Sequence, residues 1–337
     1  MPLRPMLALE MSRALVQAAV AFLITVIWGG WLVRFLRRRG IGKKIREDGP
    51  KEHQRKAGTP TMGGLMITLT VAAVTLSLNL RPSMLLPVGV MLGCGLLGAA
   101  DDLFNLVGRS GQGLRARVKF AWLFGISLAA AYMLWSPHYL GPTPTYFPFL
   151  GNLEPWLGRP YIYIPIATLW ILGFANAVNL TDGLDGLAGS TAGLAFAAYG
   201  AIAYLQGQDY LFPFCFTIVG TLLAFLWYNA PPARVFMGDT GSLALGATLG
   251  VVALMSWQWI LLPLIGIVFV AETVSVILQV IYFQYTKRRY GEGRRLFLMS
   301  PLHHHFELAG WSETQIVARF AIIGMVAAMV GIALALA

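Results

Sequence analysis

The stretch PYIYIPIATLWILGFANAVNLT, residues 160–181, carries no Lys, Arg, Asp or Glu, and it ends directly on Asp182-Gly-Leu-Asp185-Gly. At about 1.5 Å of rise per residue, such a run makes a helix of roughly 33 Å, enough to cross the hydrocarbon core of a bilayer. Two carboxylates at the end of such a helix are costly unless they face water, a cation or a partner. Uncharged runs recur outward in both directions, at 14–33, 57–80, 82–100, 120–136, 186–208 and 210–233. The segment 240–271 is too long for one crossing, and Trp257-Gln258-Trp259 reads as an interfacial break. Division there gives helices over 241–256 and 259–285, and a last span covers 315–336. The expected fold is an all-α, polytopic integral membrane protein of ten transmembrane helices, forming one domain over residues 1–337.

Composition points the same way. Of the 337 residues, 57% are hydrophobic and only 12% charged, against about 25% charged in a soluble domain. That argues against a soluble enzyme, a disordered chain and a nucleic-acid-binding domain. The net charge of +10 does not call for nucleic acid, because the excess lies in loops beside apolar runs. Cys94 and Cys215 both fall in apolar runs and read as packing residues.

Charge also sets an expected orientation. Loop 37–60 carries nine Lys and Arg, loop 101–119 four and loop 286–312 five. The opposite side has Arg81, Arg159 and the N-terminal Arg4 and Arg13. The positive-inside rule puts the basic loops in the cytoplasm and both termini outside. Arg34 and Arg37–Arg39 follow the first run, the reverse of a cleavable signal peptide, so that run reads as a retained span. The stretch 137–160, rich in Pro, Gly and aromatics, reads as an external loop with a short hairpin. Eleven of the fifteen acids lie in or beside the cytoplasmic loops, which suggests a shared polar cleft opening on that side.

Four clusters carry the chemistry. Asp101-Asp102 ends the third run, and adjacent carboxylates call for a divalent cation or a nearby base. Arg115, Arg117 and Lys119 follow and suit phosphate. Asn179, Asp182 and Asp185 are spaced by three, on one face if the turn is helical. Asp239, between Gly238 and Thr240, is the first choice as a Mg²⁺ ligand, since Mg²⁺ takes one or two carboxylates together with phosphates and water. Phe236 is placed to stack on a base. His303-His304-His305 does not point one way on a helix, so these rings suit hydrogen bonding or phosphate rather than a three-His zinc site. The basic stretch Arg46–Lys56 leads into Gly58-Thr-Pro-Thr61-Met-Gly-Gly64 and reads as an anion site without Walker A spacing.

These residues closely resemble the phospho-N-acetylmuramoyl-pentapeptide transferase family, within the polyprenyl-phosphate sugar-1-phosphate transferases. The matching segments are IREDGPKEHQRKAGTPTMGG at 45–64, Asp101-Asp102 with GLRARVKF at 113–120, and NAVNLTDGLDGLA at 176–188. FLWYNAPPARVFMGDTGSL at 225–243, ETVSVILQV at 272–280 and FLMSPLHHHFELAGW at 297–311 continue the match.

The resemblance implies transfer of phospho-MurNAc-pentapeptide from UDP-MurNAc-pentapeptide to undecaprenyl phosphate. The products would be lipid I and UMP, in the first membrane step of peptidoglycan synthesis. It implies Mg²⁺ as cofactor, a homodimer, and a cytoplasmic-side site in the bacterial inner membrane among membrane lipid. It places Asp101, Asp102, Asp239, Lys119 and His303 in the catalytic centre, with Asp239 on the metal. It places Lys56, Thr61, Asn179, Asp182, Asp185, Asn229, Phe236, Gln284 and His304 at the substrate. One position departs: relatives usually carry Lys four residues after the first Asp of the pair, and Asn105 stands here, with Arg109 as a candidate replacement. Two rival readings are a superfamily relative using another UDP-HexNAc and, from a different class, a secondary transporter built on Glu272, the one acid well inside a run.

Overall fold

The computed structural model describes residues 5–42, 58–107, 113–137, 146–147, 151–152 and 158–336. The helices are α1 (Pro5–Arg38), α2 (Gly64–Leu78), α3 (Pro82–Val107), α4 (Ala116–Trp135), α5 (Pro160–Thr181) and α6 (Leu187–Leu205). They continue with α7 (Leu211–Asn229), α8 (Gly238–Met255), α9 (Leu262–Ile265), α10 (Ile267–Tyr290), α11 (Leu302–Leu308) and α12 (Glu313–Ala335). Between α4 and α5, β1 (Tyr146–Phe147) pairs antiparallel with β2 (Gly151–Asn152), the short hairpin expected in that loop.

Among the described residues, nine helices are long and apolar enough to cross a membrane. The tenth expected span is shorter: α2 has 15 residues, where 57–80 was expected. Its missing first turns are the chain at Pro60–Gly63, which pairs instead with the segment before α8. There Phe236 N–H donates to Pro60 O, at 2.8 Å, and Gly63 N–H donates to Phe236 O, at 2.8 Å. Those hydrogen bonds hold the chain out of a helix beside the site.

The break at Trp257 is present but more elaborate than one turn. Trp257 has φ +63°, a left-handed conformation that a bulky residue adopts only at a sharp turn. A 3₁₀ turn at Trp259–Leu261 and the four-residue α9 follow, and Gly266 then separates α9 from α10. The expected helix 259–285 therefore begins at Ile267 and runs on to Tyr290.

Helix α8 is the axis of the bundle, packed by α2, α3, α4, α5 and α6. Every residue from Thr240 to Met255 is buried. It can be enclosed because its sequence is small: Gly241, Ser242, Ala244, Gly246, Ala247, Thr248 and Gly250 let neighbouring backbones approach. A Cβ on Gly246 would lie 2.3 Å from Phe174 O of α5, and one on Gly64 would lie 2.1 Å from Gly241 N. Cys94 and Cys215 are free thiols buried in the core, as expected for packing residues.

Candidate active site

The site is built where α3 crosses the first turn of α8. The first N–H groups of any helix lack an intrahelical partner and carry positive partial charge. Here a side chain from another helix satisfies them. Asp102 Oδ1 accepts from Asp239 N–H at 3.3 Å, and Oδ2 accepts from Thr240 N–H at 3.2 Å and Thr240 Oγ1 at 2.6 Å. Two glycines permit this approach. A Cβ on Gly98 of α3 would lie 2.1 Å from the Asp239 carbonyl oxygen, and one on Gly238 would lie 2.5 Å from Asp102 Oδ2 and 2.7 Å from Thr61 Oγ1. Gly238 also has φ +71°, which favours glycine.

Asp239 is clamped from both sides. Lys119, in the first turn of α4, pairs with Oδ2, while Asn179 Nδ2, in the last turn of α5, donates to Oδ1 at 2.8 Å. The Asn179 amide also reaches Ser242 Oγ at 2.9 Å. The Lys119 ammonium lies 3.8 Å from Asp101 Oδ2 and so stands between two carboxylates. Asp101 further accepts from Leu114 N–H at 2.8 Å and from Asn105 Nδ2 at 3.2 Å. Asn105 thus gives Asp101 a neutral donor at the position where the resemblance led us to expect lysine; Arg109 lies outside the described residues. Both Asp101 and Asp102 are buried. The two acids of the pair are not equivalent: Asp102 caps α8, and Asp101 faces the lysine.

A chain in which α3, α4, α5 and α8 each contribute to one polyanionic, lysine-bridged centre can be compared with known proteins. The glycosyl transferase family 4 profile matches residues 84–257, and phospho-N-acetylmuramoyl-pentapeptide-transferase signature 1 matches residues 56–67. The phospho-N-acetylmuramoyl-pentapeptide-transferase of Chloroflexus aurantiacus is 54% identical over 99% of this chain and 92% of its own length. The chain belongs to the phospho-N-acetylmuramoyl-pentapeptide-transferase family. Similar proteins of that name occur in Geobacillus kaustophilus, 46% identical over 93% of this chain and 95% of theirs, and in Staphylococcus carnosus, 44% identical over 94% and 98%.

Several other residues expected from the transferase family pattern form a second group beside the centre. Asp185 is buried in the turn after α5, and its Oδ2 accepts from Ala233 N–H at 2.9 Å. Its own N–H donates to Glu313 Oε1 at 2.7 Å. Asn229 Oδ1 accepts from Gly186 N–H at 2.9 Å, and its amide donates to Val235 O at 2.9 Å. Asn229 therefore ties the 182–186 turn to the segment bearing Phe236. Asp182 and Phe236 are half-buried on those two segments, and Thr61 is buried beside Gly238. His303 is buried against Gly183, and His304 Nδ1 lies 2.6 Å from Glu307 Oε2. Gln284 is exposed near the far end of α10. Lys56 lies outside the described residues.

Sequence reasoning missed Thr240 and Ser242, the hydroxyl partners of Asp102 and Asn179. Their one signal was position, one and three residues after Asp239. It also missed the role of Glu313 in holding the 182–186 turn. Between α10, α11 and α12 lies an apolar cavity of about 400 Å³, lined in part by Ile267, Val268, Phe306, Trp311 and Ile323.

The donor set suits Mg²⁺. Asp101, Asp102 and Asp239 offer hard carboxylate oxygens, and Lys119 marks where positive charge is demanded between two of them. Among the described residues, no three His, Cys, Asp or Glu side chains close a metal cage. A metal completed by substrate phosphates needs none.

Proposed function

We propose that this chain transfers phospho-MurNAc-pentapeptide from UDP-MurNAc-pentapeptide to undecaprenyl phosphate, releasing UMP and leaving lipid I in the membrane. The observation that carries the reading is the Asp101–Lys119–Asp239 constellation at the meeting point of α3, α4 and α8. Two anionic substrates must approach each other, so the chief obstacle is electrostatic. Mg²⁺, held by Asp239 with Asp101 beside it, would neutralise charge at the transferring phosphorus. Lys119 orients phosphate oxygens from the side facing α4. Asp102 caps the α8 N-terminus and keeps it in register with α3, beside the anions.

Direct in-line attack by the lipid phosphate fits this clamp. Asp239 has one oxygen on an ammonium and the other on an amide, an arrangement that suits holding charge rather than attacking phosphorus. The attacking phosphate, with a second pKa of about 6, is largely dianionic at neutral pH and needs little help from a base. Asp101 orients it or accepts its residual proton. Phe236, Asn179, Asp182, Asp185, Thr61 and His304 form the nucleotide-sugar side, and Asn229 holds that side together; Lys56 and Gln284 would reach the nucleotide from outside that group. The polyprenyl tail stays in oil, since each exposed CH₂ costs about 0.8 kcal/mol; the apolar cavity beside α10 offers it a seat. The chain works as a homodimer in the inner membrane, with the site on the cytoplasmic side and both termini outside.

The test offers purified protein undecaprenyl phosphate with either UDP-MurNAc-pentapeptide or UDP-GlcNAc. UMP and a pyrophosphoryl lipid should form from the first nucleotide only. Turnover of UDP-GlcNAc alone would shift the assignment to a superfamily relative, and a trapped, kinetically competent phospho-Asp239 would overturn direct attack.

A further inference from the structure

Glu272 is fully buried on α10, where it is the one acid, and the chemistry above does not use it. A carboxylate there is expensive unless it is paired. Its Oε1 lies 3.1 Å from His303 Nδ1, and its Oε2 accepts from His303 N–H at 3.3 Å. One carboxylate thus accepts from the backbone of a single residue on α11 and lies beside its ring, with no hydrogen bond made to Nδ1 among the described residues. His303 is as enclosed as its partner, at 1% exposure. Its far ring nitrogen, Nε2, has no hydrogen-bond partner among the described residues and abuts Gly183, where a Cβ would lie 2.1 Å from it. Gly183 sits between Asp182 and Asp185, four residues after Asn179, which holds Asp239.

We infer that Glu272 is a positioning residue: through His303 it braces the 182–186 turn, and with it the nucleotide-sugar side of the site. This inference rests on the transferase reading above. Packing alone does not explain the pair, because an apolar pair of similar volume usually serves stability as well or better. Orientation does. The carboxylate fixes the His303 backbone and stands beside the ring, so that the ring edge meets a residue without a side chain. The turn is held on its other flanks by Glu313 and Asn229. The same pairing answers the transporter reading, since Glu272 is tied to His303 and sealed.

Glu272→Gln keeps the volume but turns one carboxylate oxygen into an NH₂ donor, so either the His303 N–H or the ring beside it faces a donor. Loss of one hydrogen bond to a charged group is worth about tenfold in affinity. The expected result is a KM for UDP-MurNAc-pentapeptide raised about tenfold, kcat lowered less than about threefold, and an unchanged KM for undecaprenyl phosphate. The Glu272→Leu variant should keep Tm near that of the wild type and still show the raised nucleotide KM. A uniform fall in kcat with both KM values unchanged would reduce the pair to a structural role and overturn the inference. A kcat collapse in Glu272→Leu at normal nucleotide binding would give the carboxylate a part in the chemical step and overturn it as well. Failure of both variants to fold would assign Glu272 to core stability, again against it. A wild-type protein that releases no UMP would instead overturn the transferase reading.

Discussion

Helices α8 and α10 are both long and apolar enough to cross a membrane, and they have opposite surroundings. In α8, everything from Thr240 to Met255 is buried by protein. In α10, the buried residues are Val268, Phe269, Glu272, Ser275 and Thr286, and most of the remainder is exposed on the bundle surface. The difference lies in side-chain size. Gly, Ala, Ser and Thr let α8 be surrounded, while Val, Ile, Phe and Tyr on α10 match a lipid environment. In both helices the acid is held by groups from other elements: Asp239 by Lys119 and Asn179, Glu272 by His303. A buried helix can place an acid at its end, where the centre is built; a lipid-facing helix can keep one only on its single buried stripe.

This contrast can be broken at graded cost. Gly98→Ala drives a methyl into the Asp239 backbone, so α3 and α8 must separate. Overpacking of this kind costs about 1–3 kcal/mol, and here it also displaces Asp102 from the α8 N-terminus. UMP release should be lost and Tm lowered, by activity assay and thermal scan. Lys119→Met leaves Asp239 and Asp101 without the shared ammonium. We expect kcat to fall by about 10²-fold, the scale of losing one electrostatic stabiliser, with Tm little changed. Gly183→Ala pushes against His303 without touching Glu272. It should raise the nucleotide KM by about tenfold, and a normal KM would separate the turn from the α11 contact. Ile281→Ala, on the exposed face of α10, should change stability by less than about 0.5 kcal/mol and leave kinetics alone. A large effect there would mean that this face is covered by another protein surface.

Much of the fold was legible because bilayer length and charge are written in composition. Residues 160–181 match α5 residue for residue. The ends were harder, because an uncharged run stops at the first charge and a helix need not. Helix α3 continues through Asp101 and Asp102, α4 begins before Lys119, and α8 begins before Asp239. In each case the charged residue is inside the helix because its partner is another helix, which no local pattern reveals. For the same reason the sequence did not separate Asp101 from Asp102, or find that Asp102 caps α8. Glu272 was visible as a lone acid in an apolar run, but its partner lies 31 residues away on α11. Asn105 was visible as a departure; its hydrogen bond to Asp101 was not.

The most direct measurement is UMP release by purified wild type and Asp239→Asn, with both substrates and Mg²⁺ present, in the same detergent and with matched Tm. The account predicts Mg²⁺-dependent release in the wild type and a loss of at least about 10²-fold in Asp239→Asn, because an amide keeps the shape but not the charge that the cation and Lys119 require. Undiminished, Mg²⁺-independent release by a well-folded Asp239→Asn protein would contradict it.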